Sequence, residues 1–110
     1  MISRERGDVV IVDLGMTSNV RPCVVLSIPS PDSTRNMSVV ALMTTEIRAA
    51  NAGSLFPKPP WLKENSVVNV IGIAGVDNAR ILKRIGSFPE SKMTEISRVL
   101  TRMLRLQAQW

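Results

Sequence analysis

The chain has 110 residues, enough for one domain with a real core (residues 1–110) and too short for two. Apolar residues make up 45% and charged residues 21%, a globular balance. The absence of histidine excludes Ser-His-Asp triads, histidine-pair ribonuclease chemistry and His-ligated metals, and the single cysteine, Cys23, excludes an internal disulfide or a cysteine zinc cage. The net charge is +5, and the excess lies in residues 80–110, where Arg80, Lys83, Arg84, Lys92, Arg98, Arg102 and Arg105 stand against Glu90 and Glu95. Such a one-sided charge suits nucleic acid or an acidic protein partner; a solvated helix face is the competing reading.

In chain order, Arg4 to Gly7 is a polar lead-in. Asp8 to Asp13 then sets four β-branched residues between two carboxylates, the pattern of a strand. A short polar connection from Leu14 to Val20 predicts an antiparallel hairpin into Arg21-Pro22-Cys23-Val24-Val25-Leu26-Ser27. The run Cys23 to Leu26 fits a strand buried on both faces, and Cys23 belongs to its core. Pro22, with no N–H for a ladder, is expected at the first residue of that strand and biases Arg21 toward an extended conformation. A permanently charged guanidinium is thereby held where the core opens; an arginine simply facing water is the bland alternative.

Ile28 to Ser33 holds two prolines, two serines and an aspartate, a surface loop. Met37 to Met43 is the next strand, ending in Thr44-Thr45-Glu46. Ser54-Leu55-Phe56 is a candidate short strand, stopped by the rigid stretch Pro57-Lys58-Pro59-Pro60 beside Trp61. Asn65 to Ile71 is a further strand, and Gly72 and Gly75 after it suggest bulges or close approaches. Ala79 to Ile85 is a short strand or turn carrying Arg80, Lys83 and Arg84. Ser87-Phe88-Pro89-Glu90 has the form of a capping box. Met93, Ile96, Val99, Leu100, Met103 and Leu104 then recur every three or four residues, predicting an amphipathic helix from Glu90 to Leu106 with Arg98, Arg102 and Arg105 on its polar side. Short strands followed by one terminal helix predict a mainly β fold, a small bent antiparallel sheet or barrel with the helix packed on one side.

The apolar runs are too short to span a bilayer and no signal-peptide pattern opens the chain, so a cytoplasmic protein is expected. Aromatics are few, which counts against a binder built on stacked bases.

The order of these motifs resembles the MazF/PemK (Kid) toxins of type II toxin–antitoxin systems. The resemblance is carried by Arg6-Gly7-Asp8-Val9, Arg21-Pro22-Cys23-Val24-Val25, Val40-Ala41-Leu42-Met43-Thr44-Thr45, Asn65-Ser66-Val67-Val68, Val76-Asp77 and Lys83-Arg84-Ile85-Gly86. It implies an SH3-like barrel with a C-terminal helix, a homodimer, sequence-specific and metal-independent RNA cleavage, no cofactor, and an antitoxin that inhibits through an acidic disordered segment. It also implies a catalytic pair, Arg21 and Thr44. The chain departs from the pattern where relatives carry acidic, arginine or glutamine residues, here Asn69, Ile71 and Gly72, and in the short connection after the first strand.

The residues suit that chemistry. When a 2′-OH attacks its own phosphate, the protein must position the chain and stabilise the phosphoryl oxygens. An arginine fork matches those oxygens at any working pH, and the Thr44 hydroxyl can donate to one of them. Thr45, Glu46, Phe56, Arg80, Lys83 and Arg84 are the candidate RNA contacts, with solubility, loop solvation and packing as their ordinary roles. Two other functions compete: a non-catalytic toxin on the same scaffold that binds a protein target, as the gyrase-poisoning relatives of the fold do, and a plain nucleic-acid-binding module.

Overall fold

The computed structural model describes residues 5–15, 20–29, 36–44, 53–55 and 67–106. Six strands precede one helix: β1 Asp8–Asp13, β2 Val20–Val25, β3 Met37–Thr44, β4 Gly53–Leu55, β5 Val67–Asp77, β6 Ile81–Ser87 and α1 Glu90–Leu104. They form one antiparallel sheet in the order β4-β5-β3-β2-β1-β6. The hairpin expected of β1 and β2 is present, with Val9 opposite Val24 and Val12 opposite Arg21.

Alternation along these strands splits the core in two. Val9, Val24, Ala41, Met43 and Val68 face the helix and pack with Phe88, Met93 and Ile96. Val10, Val12, Cys23, Val25 and Val40 face the other way and pack with Val76 and Ile81. Strands buried on both faces read as continuous apolar runs, which is why β1 and β2 do so. The second core has no helix over it. It closes because the sheet coils: a 3₁₀ turn, Asn78–Arg80, carries the chain from β5 to β6, so that Val76 and Ile81 meet Val10 and Val12. The turn is fixed to the start of β3, where the Asn78 N–H donates to the Asn36 carbonyl at 2.8 Å and its side-chain amide to Asn36 Oδ1 at 3.0 Å.

Several details differ from the sequence expectation. Pro22 is the third residue of β2, not the first. Its pairing is with Ile11 of β1, while the β2–β3 ladder begins one residue later at Cys23, so the strand has only one neighbour at the proline. The Asn65 to Ile71 strand instead runs Val67–Asp77, through both glycines. Gly72 lies in a wide bulge: Met43 pairs with Val68 and Ala41 with Ile73, leaving the single residue Leu42 opposite the whole of 69–72. A Cβ at Gly72 would come within 3.1 Å of Asn69 Nδ2 and 3.3 Å of Leu42 Cδ1, so the bulge is closed over a residue without a side chain. Gly75, by contrast, pairs regularly with Val39.

The capping box does not form either. Ser87 is the last residue of β6, paired with Asp8, so the helix, starting at Glu90 as expected, has Pro89 as N-cap and no side-chain cap. The Pro89 carbonyl accepts from the N–H groups of Lys92 and Met93 instead. At its other end α1 stops at Leu104, because Arg105 turns left-handed (φ 52°) and the Leu106 N–H donates to the Thr101 carbonyl at 2.9 Å. The strand expected from Ala79 to Ile85 runs Ile81–Ser87. The loops predicted around Pro31 and the Pro57–Trp61 stretch lie outside the described residues, as does Phe56 beyond the end of β4.

The polar lead-in proves to be a clamp. Arg6 Nη1 donates to the Leu26 carbonyl at 2.7 Å, and Nη2 reaches the Ser97 hydroxyl of α1. Gly7 holds φ at 97° while its N–H donates to the Val25 carbonyl and its carbonyl accepts from the Phe88 N–H; a Cβ there would press on Met93. The start of β1, the end of β2 and the helix are thus locked at one corner.

Candidate active site

The β2–β3 register pairs Cys23 with Leu42, Val24 with Ala41 and Val25 with Val40. Arg21 lies two residues before Cys23 on β2 and Thr44 two residues after Leu42 on β3, each on the face of that pair in its own strand. The ladder ends at Cys23, so both residues lie beyond its last pair. Arg21 is exposed and Thr44 half-buried, an arrangement in which a ligand can reach both.

Cys23 reports on the electrostatics. Its thiol is fully buried, and burial pushes it up to about 11, with the positive charge of Arg21 working the other way. The thiol donates a weak bond to the Arg21 carbonyl at 3.8 Å. A protonated, buried thiol is neither a nucleophile nor a metal ligand at neutral pH, so Cys23 serves as packing beneath the pair.

Arg80 approaches the same end from the far side of β1. Val12 pairs with Arg21 on one side and with Ile81 on the other, and Arg80 Nη1 donates to the Asp13 carbonyl at 3.3 Å. Arg21 and Arg80 so flank the C-terminal end of β1. Lys83 is exposed opposite Ile11, on the face that carries Pro22. Arg84, itself exposed, is tied to a buried carboxylate: its Nε donates to Asp8 Oδ1 at 3.0 Å, and Asp8 is 5% exposed. The other Asp8 oxygen accepts the Glu5 N–H at 2.9 Å. Of the sequence candidates, Arg21 and Arg80 flank the C-terminal end of β1, Thr44 is the last residue of β3, and Arg84 ties β6 to β1 through Asp8. Thr45, Glu46 and Phe56 lie outside the described residues.

Sequence reasoning missed Arg6 and the Arg84–Asp8 pair as structural groups. Only the register of β1 with β6 brings Arg84 and Asp8 together, and no local pattern encodes it.

Residues 5–104 match the family of PemK-like, MazF-like toxins of type II toxin–antitoxin systems. The chain belongs to that family. Solved structures share the MazF fold. A mycobacterial endoribonuclease in complex with its cognate antitoxin superposes with a TM-score of 0.78 at 21% identity, covering 96% of this chain and 98% of that one. MazF from a MazE–MazF complex of Deinococcus radiodurans gives 0.79 at 15% identity, covering 94% and 96%. The Mycobacterium tuberculosis toxin MazF-mt6 gives 0.76 at 17% identity, covering 91% and 98%. No curated protein matches the sequence. The mainly antiparallel sheet with one C-terminal helix is the MazF type, an SH3-like barrel, as the sequence motifs implied. Among the described residues, no helix is long and apolar enough to cross a membrane.

Proposed function

We propose that this MazF-family toxin is a sequence-specific endoribonuclease that cuts RNA without a metal ion, using Arg21 and Thr44. The observation that supports this reading is that an exposed arginine on β2 and a half-buried threonine on β3 both lie just beyond the end of the β2–β3 ladder. The 2′-oxygen of one nucleotide attacks the adjacent phosphorus and the bond to the 5′-oxygen breaks, giving a cyclic phosphate and a 5′-hydroxyl. Arg21 holds the non-bridging oxygens as negative charge builds on them, Thr44 donates to one of them, and Arg80 binds a flanking phosphate. Arg21 is a poor proton shuttle because it stays charged, so proton donation to the leaving 5′-oxygen is its secondary role. Metal independence follows from this division of labour, since guanidinium and hydroxyl supply the charge stabilisation.

The neighbours solved with antitoxins support a cognate antitoxin as the partner, an acidic segment lying across the Arg21 end. The working form is a homodimer in the cytoplasm: a chain of this size has limited core, and Ile28, Met37, Val39 and Ile73 leave apolar surface exposed along the β3–β5 side. Light scattering is expected to return twice the 12.1 kDa chain mass. The deciding test is single-turnover cleavage of a mixed RNA with EDTA present, by the wild type and by folded Arg21→Ala. Equal rates place the chemistry elsewhere. Intact but retarded RNA makes the chain a nucleic-acid-binding module, and neither effect makes it a toxin that acts on a protein target.

A further inference from the structure

The polar side of α1 bears an open depression of about 390 Å³ lined by Thr94, Ser97, Arg98, Thr101 and Arg102. It lies on the helix-covered side of the sheet, whereas Arg21 shares its strand face with Cys23 of the opposite core. We infer that this depression is an anion site for a short linear oligophosphate, a ligand whose successive phosphoryl groups meet the two guanidinium groups. The inference stands on α1 and the Arg6 clamp alone and is independent of whether the chain cuts RNA.

The first observation is where α1 places its charge. Arg98 and Arg102 are both exposed, four residues apart, and neither has an ion-pair partner among the described residues. Like charges at that spacing work against a helix. The attraction of a helix C-terminus for cations is confined to the last turn, which contains Arg102 and not Arg98. The neighbouring carboxylate, Glu95, is paired with Lys92 at 3.3 Å instead. A third guanidinium adds to the surplus, because Arg6 reaches the Ser97 hydroxyl with Nη2 while its Nη1 donates to the Leu26 carbonyl. Charge set against the local preference of its own helix, with no internal compensation, marks a ligand site.

The second observation is the donor set. Ser97 Oγ accepts from Arg6 and so keeps its own proton for an acceptor outside the protein. Thr94 offers an exposed hydroxyl, and Thr101 is held as floor by donating to the Ser97 carbonyl at 2.7 Å. No carboxylate and no aromatic lines the depression. Two guanidinium forks and two hydroxyls together select a ligand rich in acceptor oxygens, and a fork meets a phosphoryl group through two parallel bonds. The forks are one helical turn apart, about 6 Å along the axis, so several phosphoryl groups in line engage both and a single phosphate engages one. The volume is that of a small-molecule site, and with no ring to stack on, a base contributes nothing.

The probe is sodium tripolyphosphate, titrated calorimetrically into the wild-type chain at about 150 mM salt, where diffuse attraction to the basic surface is screened. One ligand is expected per chain. Arg98→Gln/Arg102→Gln is expected to bind about tenfold more weakly, and Arg21→Ala as wild type does. Both substituted side chains are exposed, and circular dichroism checks that the helix persists. A second measurement needs no variant: amide resonances of 94–102 should shift on adding the ligand to wild type. ATP run beside tripolyphosphate distinguishes the sources, since tighter binding of ATP marks a nucleotide and tighter binding of tripolyphosphate an inorganic chain. Sulfate or orthophosphate binding as tightly as tripolyphosphate, unchanged affinity in the double variant, or shifts confined to residues around Arg21 and Thr44 overturns the inference. So does displacement of the ligand by oligouridylate, which would make the depression part of an RNA path. The double variant should cleave RNA as wild type does. Loss of cleavage in Arg21→Ala tests the other reading, so the two can fail separately.

Discussion

The two ends of β1 handle charge in opposite ways. At the Asp8 end the buried carboxylate and both arginines beside it have partners within the protein. Asp8 takes Arg84 and the Glu5 N–H, and Arg6 spans the Leu26 carbonyl and Ser97. At the Asp13 end Arg21 is exposed and has no carboxylate partner among the described residues, and the nearest group it acts on is a buried, protonated thiol. A guanidinium already paired contributes to folding and has little left for a phosphate. One that is held in place and unneutralised keeps its full field for a ligand. The contrast sets arginines with partners inside the protein against one without a carboxylate partner among the described residues, at the two ends of one strand.

The contrast breaks if the two ends respond alike to substitution. The largest expected effect is at Arg21: Arg21→Ala should lower single-turnover RNA cleavage by about a hundredfold or more, with thermal stability nearly unchanged. Arg21→Lys should also be poor, because a point charge cannot make the two-pronged contact. Thr44→Ala should cost about tenfold, while Thr44→Ser keeps most of the activity, since only the hydroxyl is required.

At the other end the signs reverse. Asp8→Asn should lower stability by about 1–2 kcal/mol in urea unfolding and leave cleavage largely intact, because it weakens a charge-assisted bond remote from RNA. A smaller gain is expected from Arg105→Gly, about 0.5–1 kcal/mol, because glycine adopts the left-handed helix terminus without a Cβ penalty.

The finest test is the thiol. Its folded value near 11 lies above that of an unfolded cysteine, near 8.5. The protonated form is favoured in the folded chain, so this contribution to stability is complete below about pH 8.5 and declines as pH rises toward 11. Iodoacetamide at pH 8 should therefore modify native Cys23 far more slowly than the denatured chain, and Arg21→Ala should slow the native reaction further.

Much of this molecule is written locally. The continuous apolar runs of β1 and β2 announce strands buried on both sides, and the spacing Met93, Ile96, Leu100 announces the helix. The arginine before Pro22 and the threonine ending β3 were legible as a pair through the family pattern; both lie beyond the last β2–β3 pair, Cys23 and Leu42. What was not legible is what depends on distant pairing. Ser87 reads as a cap until its place opposite Asp8 in β6 is known. Gly72 reads as punctuation, yet the strand runs through it because the bulge accommodates the extra residues. Arg6 reads as solvent-facing, and its partner lies 91 residues away.

That last separation bears on how the chain is made. β1 is among the first segments to be synthesised, yet it lies between β2 and β6, and β6 and α1 come last. Until they emerge, one side of β1 is an open edge, Arg84 is missing from Asp8 and the Arg6 clamp has nothing on α1 to grip. Contacts this far apart in sequence form late and slowly. The end of β1 that Arg21 flanks draws on the turn before β6 for Arg80, so a ribosome-bound fragment that stops short of that turn cannot complete it. If the proposed site lies there, the order of assembly delays it until β6 has been made.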